Sequence, residues 1–98
     1  MDLESFKASL SEDAPPEGVG RPLQALWWDG QGDWEAAHRL AQAEPGRSGA
    51  WVHAYLHRKE GDQGNARYWY GRAGRTMPRA SLEAEWEQIA AAFLGNGG

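Results

Sequence analysis

The chain has 98 residues, of which 41% are hydrophobic and 24% are charged, and its formal net charge is −4. This length supports one domain with a single hydrophobic core. The absence of cysteine excludes disulfides, thiolate zinc sites and cysteine nucleophiles. The first ten residues lack the basic start and apolar run of a targeting peptide, and no apolar stretch approaches the roughly 18 residues of a membrane span. We therefore expect a cytoplasmic protein with no membrane partner.

Charge is distributed unevenly along the sequence. Residues 1–18 contain one lysine and five acidic residues, whereas residues 58–79 contain six basic and two acidic residues. Two interpretations are open: either the acidic ends fold over the basic middle and screen it, or the middle forms an anion-binding surface. A sequence pI near 5.3 counts against nucleic acid as a partner, because such binding depends on neutralising phosphates.

The N-terminal segment has the composition of an extended region. Four prolines and glycines, at positions 15, 16, 18 and 20, interrupt any regular structure before Arg21. Residues 1–20 are therefore predicted to form an acidic N-terminal arm and linker. A short helix over residues 2–10 would be stable only if it packed against the rest of the chain.

Five helices are predicted after the linker. Pro22 can open the first, at a position where its missing amide costs nothing, and Asp33 and Asp62 can cap the second and the fourth. Apolar residues recur with a period of 3.6 in these segments and with a period of 2 in none, so the fold class is all-α. The predicted helices cover about residues 22–30, 34–44, 48–60, 63–74 and 82–94, followed by a flexible tail at 95–98.

An internal repeat with a period of 29 residues relates the first four of these helices. Its two copies match at a turn between helices, at one small position and at one apolar position. The matched positions are Gly32-Asp33 with Gly61-Asp62, Ala37 with Ala66, and Leu26 with Tyr55.

The second copy resembles the tetratricopeptide family, in a degenerate or Sel1-like form. The resemblance covers roughly residues 21–78 and implies two antiparallel helical hairpins. A last helix with an apolar face would cap them, so that residues 21–94 form one helical domain. The residues that carry the resemblance are Ala54, Gly61-Asp62, Ala66, Tyr70, Ala73 and Pro78, and the apolar face of the capping helix consists of Leu82, Trp86, Ile89 and Phe93.

Two histidines lie on one predicted helix. His53 and His57 are four residues apart, which places both imidazoles within reach of one divalent ion. Two ligands do not complete a site and His38 belongs to another helix, so neither a metal nor another cofactor is predicted. This helix could face the core in two ways, and in the tetratricopeptide alignment the histidines turn inward. The expected register instead buries the apolar stripe of Trp51, Val52, Tyr55 and Leu56 and leaves the histidines half buried and hydrogen-bonded at its border.

Arginines and aromatic residues alternate along the fourth predicted helix. Tyr68, Arg72 and Arg75 fall on one side, in a combination that suits the binding of carboxylates or phosphates. Trp69 and Tyr70 fall on the other side and are predicted to belong to the core.

Motifs of catalysis are missing from the sequence. No serine has a histidine and an acidic residue nearby in the pattern of a catalytic triad, and no glycine-rich phosphate loop is followed by a lysine. No catalytic residue is therefore predicted. If the protein were an enzyme, His53, His57 and Arg58 beside Tyr68 would form its site.

The resemblance implies that the protein binds a protein or peptide, as a monomer or a homodimer. Families of this kind hold the partner in a groove lined by first helices, and the matching positions here are Trp28, His53 and His57. Arg58 and Arg72 would orient an acidic partner. The alternative is a pocket between the hairpins for a small anionic ligand or substrate. Residues 57–75 also resemble a stretch of short uncharacterised bacterial proteins, a resemblance that implies no activity.

Overall fold

A computed structural model describes residues 1–95, and in this part of the chain every regular element is helical. The predicted all-α class is therefore confirmed. None of these helices is both long enough and apolar enough to cross a membrane. Of the predicted tail, Gly95 ends the last helix and the other residues lie outside the described part. The elements are α1 (Leu3–Ala8), which continues as a 3₁₀ turn (Ser9–Ser11), α2 (Arg21–Gly30), α3 (Trp34–Ala43), α4 (Gly46–Lys59), α5 (Gln63–Ala73) and α6 (Leu82–Gly95).

N-capping side chains explain two of the helix starts. Asp33 and Asp62 each accept a hydrogen bond from the backbone amide three residues ahead, at 3.0 Å and 3.2 Å. Each bond satisfies a donor that the first helical turn leaves without a partner. Gly32 and Gly61 precede the caps with φ of +86° and +89°, a left-handed conformation that glycine adopts without steric strain. The Gly-Asp pair thus ends one helix and starts the next.

Two backbone segments approach each other closely near the start of α4. α4 begins at Gly46, two residues earlier than the predicted start at Ser48. A Cβ atom on Gly49 would lie 2.1 Å from the Glu44 carbonyl oxygen, which is far inside van der Waals contact. Gly49 therefore permits the end of α3 to pack tightly against the first turns of α4.

α4 is the central helix of the fold. It packs against α3 and α5, and also against α2 and α6, and every residue from Gly49 to His57 is buried. Both registers considered for this helix are therefore realised, because the apolar stripe and the histidine face are both covered. The prediction of half-buried histidines is wrong: His53 and His57 are 4% and 9% exposed.

Pairs of consecutive helices pack together, α2 with α3 and α4 with α5. In the second pair, Ala66 and Ala73 of α5 are buried, and small side chains of this kind let two helix axes approach closely. The tetratricopeptide-like arrangement of the hairpins stays a prediction.

α6 lies along α2 and α4, the two helices that the repeat designates as first helices. Trp86 and Ile89 are buried there, and the Trp86 indole donates to the Leu26 carbonyl oxygen at 2.9 Å. Near the end of α6, the ring of Phe93 packs edge to face on Trp51 at 5.7 Å. A face of α2 and α4 is thus covered by a helix of this same chain.

The N-terminal segment, predicted as an arm, packs into the core. Phe6 is fully buried, and its ring centroid lies 5.7 Å from that of Trp86. The Trp27 indole donates to the Ser9 carbonyl oxygen at 3.2 Å. Residues 3–11 are therefore held against α2 and α6, and the short helix becomes stable because it packs.

Tryptophan hydrogen bonds connect the elements of this fold. Within residues 1–95, four of the six tryptophans donate the indole N–H to an oxygen of a different element. A buried indole requires such a partner, so each bond restricts how the helix that carries it can rotate. The donor and acceptor residues are Trp27 and Ser9, Trp34 and Leu56, Trp51 and Glu85, and Trp86 and Leu26.

Candidate functional site

The three histidines of the chain meet between α3 and α4. His38 reaches across from α3, and its Nε2 atom lies 3.0 Å from Nε2 of His53. The ring of His57 is 4.8 Å from the His53 ring and 5.3 Å from the His38 ring, measured between centroids. One nitrogen from each of the three imidazoles lies within 4.8 Å of the others. We call His38, His53 and His57 the histidine cluster.

His38 is the member of the cluster that the sequence analysis left out. It lies one turn after Trp34, on the face of α3 that meets α4, since the Trp34 indole donates to the Leu56 carbonyl oxygen at 2.9 Å. The available signal was the spacing of Trp34, His38 and Ala41 at i, i+4 and i+7, which places all three on one helical face. That spacing identifies the face of α3, but only the packing of α3 on α4 identifies what the face meets.

Aromatic rings and one carboxylate hold the imidazoles in place. The Trp34 ring stacks on His38 at 4.8 Å and the Trp69 ring stacks on His53 at 4.1 Å. Nδ1 of His57 lies 2.6 Å from a carboxylate oxygen of Glu60. Stacking and hydrogen bonding restrict the rotation of each ring, so the three imidazoles are held close together.

Burial and mutual proximity disfavour the charged forms of two histidines. Removal from water, together with repulsion from any charge on the other two imidazoles, lowers the pKa of His53 to about 4. Removal from water, together with repulsion from any charge on His57, also lowers the pKa of His38. Both rings are therefore neutral at pH 7, and each has one nitrogen lone pair available.

Acid is expected to destabilise the protein through His53. The pKa of His53 falls from its ordinary 6.5 to about 4 on folding, so between these values the unfolded chain binds a proton that the folded chain does not. The free energy of unfolding therefore keeps its full value above pH 6.5 and decreases by about 2 to 3 kcal/mol as the pH falls towards 4. Urea unfolding at both ends of this range, with a chelator present, measures the loss. His53→Gln should lose less than the wild type, and equal losses would contradict the burial of a neutral His53.

Arg58 holds a buried carboxylate of its own chain. Glu85 is 1% exposed, and it accepts hydrogen bonds from Arg58 at 2.8 Å and from the Tyr70 hydroxyl at 2.7 Å and 2.8 Å. Arg58 also donates to the Ala80 carbonyl oxygen. Burial and the hydrogen bond to Glu85 raise the pKa of Tyr70. Arg58 was predicted to orient an acidic partner, but in the structure it binds Glu85 of its own chain.

Arginines and aromatic rings form a surface where the start of α4 meets the end of α5. The Arg75 guanidinium carbon lies 3.4 Å from the centroid of the Trp51 ring. Arg72 lies 5.6 Å from the Trp69 ring and donates to the Tyr68 hydroxyl at 2.9 Å. One pocket is lined by an arginine of α4 together with Arg72, and a second by the same arginine together with Arg75. We call these residues the arginine–aromatic surface: Arg47, Trp51, Tyr68, Trp69, Arg72 and Arg75.

The arginines of this surface carry uncompensated positive charge. Within residues 1–95, the ion pairs formed between side chains include none of the three. Among these described residues, no acidic residue of the N-terminal segment pairs with them either. The first turn of α4 adds the partial positive charge of its free amides, because Pro45 supplies no side-chain cap. The charge pattern is thus only partly screened: Arg58 pairs with Glu85 near the acidic C-terminus, whereas Arg72 and Arg75 form no ion pair within residues 1–95.

A pocket lies between the surface and the cluster. It has a volume of about 260 Å³ and is bordered by the turn from α3 to α4 and by α5. Arg47 and Arg72 line it together with His53 and Trp69. His53 therefore lies between this pocket and the other two histidines of the cluster.

The six residues predicted to bind a partner are divided among different environments. His53 and His57 meet in the histidine cluster, and Tyr68 and Arg72 meet on the arginine–aromatic surface. Trp28 packs edge to face against Trp27 at 4.9 Å, and Arg58 is engaged with Glu85.

No protein-family model, curated protein or solved structure matches this chain. The tetratricopeptide-like resemblance therefore rests on the repeat and its small residues alone, and the function is inferred from the geometry of the surface and the cluster.

Proposed function

We propose that this protein binds an acidic segment of another protein on the arginine–aromatic surface. The observation that carries the proposal is that Arg47, Arg72 and Arg75 share one surface and none of them has a carboxylate partner within residues 1–95. Guanidinium groups bind carboxylates through two parallel hydrogen bonds. An acidic peptide would supply the missing negative charge.

The stacking of the arginines on aromatic rings supports the proposal. Arg75 lies over Trp51, and Arg72 lies over Trp69 and close to Tyr68. A guanidinium held in this way has lost part of its side-chain freedom before a ligand arrives, so less entropy is lost on binding. Tyr68 is 55% exposed and offers apolar area beside the charges, and interfaces are enriched in this combination of arginine and aromatic residues.

This location differs from the groove that the family resemblance implies. α6 covers a face of α2 and α4, and it is anchored there by the buried Trp86 and Ile89. A peptide on that face would have to displace about 1.5 to 3 kcal/mol of burial for each of these side chains. The arginine–aromatic surface requires no such rearrangement.

A second candidate function is the binding of a small anion, such as a phosphate or a dicarboxylate, in the pocket beside His53. The observation that favours it is that Arg47 and Arg72 line this space of about 260 Å³ together with His53. Glu44 also lines the pocket, but it pairs with Arg21 at 3.8 Å.

Fluorescence anisotropy of a labelled glutamate-rich decapeptide tests the proposal on the full-length chain. We expect saturable binding that weakens several-fold as salt rises from about 0.05 M to 0.3 M, because salt screens exposed charges. A glutamine-rich peptide of equal length should not bind. Arg72→Gln should weaken binding about tenfold, the loss expected for one charge-assisted hydrogen bond.

Arg67→Gln is the matched control. Arg67 is an exposed arginine of the same helix, but it lies five positions before Arg72 and therefore about 140° around the helix axis. Equal weakening by the two variants would mean that only net charge is sensed and would overturn the proposal. Displacement of the peptide by inorganic phosphate at moderate concentration would favour the small-anion pocket instead.

A further inference from the structure

We propose that the histidine cluster is a binding site for a divalent transition metal ion of the Zn²⁺ or Co²⁺ type, with His38, His53 and His57 as ligands. This inference is independent of the peptide surface, because it concerns the buried side of His53. It assigns to the cluster a ligand that the sequence alone did not predict.

The positions of the nitrogens carry the proposal. Two Nε2 atoms lie 3.0 Å apart, and one nitrogen of each imidazole lies within 4.8 Å of the others. Two nitrogens bound to one tetrahedral Zn²⁺ at about 2.0 to 2.1 Å are separated by about 3.3 Å. His38 and His53 therefore need to separate by only a few tenths of an ångström, and rotation of the His57 side chain towards them completes the set.

The contact between His38 and His53 is itself suited to a cation. Both rings direct Nε2 at the other, so one ring must carry a proton there and the other must offer a lone pair. A metal ion that replaces this proton is bound by both lone pairs at once. Trp34 and Trp69 stack on the two rings and would limit how far the rings move when the ion binds.

Glu60 engages one ring nitrogen of His57. The Nδ1 atom lies 2.6 Å from a Glu60 carboxylate oxygen, so Nε2 is the nitrogen that remains to bind a metal ion. Metal-binding histidines commonly donate their second nitrogen to a carboxylate, which fixes the ring and increases its basicity. Glu60 would also offset part of the positive charge brought into a buried site.

The ligand set selects the class of ion. Three neutral imidazoles suit Zn²⁺, Co²⁺, Ni²⁺ or Cu²⁺, whereas Ca²⁺ and Mg²⁺ prefer oxygen ligands. Three protein ligands leave the fourth tetrahedral position to water or to an anion, as in zinc sites that bind a further ligand. His53 borders the pocket that Arg47 and Arg72 line, so an anion entering that pocket approaches the cluster from the side of two positive charges.

A second group of side chains competes as an explanation for metal binding. His57, Glu60 and Asp62 also bring their donor atoms within 4.8 Å of one another, but Glu60 and Asp62 are exposed. The two sets share His57 and differ in His38 and Asp62. This difference provides the pair of variants that separates them.

Titration of Co²⁺ into the full-length chain, prepared without a histidine tag, tests the proposal. We expect one equivalent to bind and to produce the intense visible absorption of tetrahedral Co²⁺, which Zn²⁺ then removes by competition. The melting temperature should rise with either ion, since a ligand that binds only the folded state stabilises it. Mg²⁺ at the same concentration should change neither signal.

His38→Gln is expected to weaken Co²⁺ binding by at least about 100-fold, because losing a direct ligand costs more than losing an outer hydrogen-bond partner. Asp62→Asn keeps a side chain able to cap α5 and should bind Co²⁺ as the wild type does. Circular dichroism establishes that both variants are folded. The reverse pattern, with binding kept by His38→Gln and lost by Asp62→Asn, would overturn the proposal, and so would the absence of tetrahedral absorption in the wild type.

Discussion

Arg58→Met is expected to destabilise the protein by about 3 to 5 kcal/mol. The substitution leaves the carboxylate of Glu85, which is 1% exposed, without its positive partner at 2.8 Å. The hydroxyl of Tyr70 and the indole of Trp51 still donate to this carboxylate, but neutral donors do not replace a charge in a buried site. Urea unfolding followed by circular dichroism measures the loss.

Two further variants separate the buried charge from the general loss of a side chain. Glu85→Gln in the Arg58→Met background removes the stranded charge, and this double variant should recover a large part of the lost stability. Lys7→Met removes the ion pair between Lys7 and Glu87, which is 3.1 Å long and lies at the surface, and should cost far less than Arg58→Met, because water screens exposed charges. A loss after Arg58→Met as small as that after Lys7→Met would show that the pair with Glu85 is not buried in solution.

The helices were predictable because their signals are local. Asp33 and Asp62 cap the helices that follow them, and the spacing of apolar residues gives the helical period. The start of α4 was misplaced by two residues, and no pattern within α4 reveals the close approach of Gly49 to the Glu44 carbonyl. Capping and periodicity act over one or two turns, whereas this contact joins two elements.

The candidate site was only partly predictable because it joins elements through polar side chains. His53 and His57 were identified by their spacing, but a hydropathy pattern cannot show that a helix will be covered on every side. A polar residue can be buried where a hydrogen-bond partner meets it, and here the partner of His53 is His38 on α3. Similarly, Arg72 and Tyr68 were found together because both lie on α5, whereas Arg47 joins them only through packing.

The spacing of apolar residues in the N-terminal segment gave a weak indication of a helix. Leu3, Phe6 and Leu10 recur at i, i+3 and i+7, which is the spacing of one helical face. The acidic residues around them favour exposure, so composition and periodicity indicate different outcomes. In the structure Phe6 is buried against Trp86, as the apolar periodicity indicates.

Phe6→Ala is expected to destabilise the protein by about 3 to 5 kcal/mol, the cost of removing a buried phenylalanine and leaving a cavity. The ring is fully buried and stacks at 5.7 Å on Trp86, a residue that also connects α6 to α2. An extended arm would contribute nothing comparable, because its side chains would be exposed in both states. Urea unfolding detected by circular dichroism gives the free-energy difference, and the Trp86 environment can be followed by fluorescence.

Two controls define what Phe6→Ala measures. Phe6→Leu keeps most of the apolar volume and should cost no more than about 1.5 kcal/mol. Glu4→Ala changes an exposed residue of the same helix, so it reports on the helix itself and should cost less than about 0.5 kcal/mol. If all three substitutions had equally small effects, residues 3–11 would not pack on α2 and α6 in solution, and the acidic N-terminal segment would be free to compete for the arginine–aromatic surface.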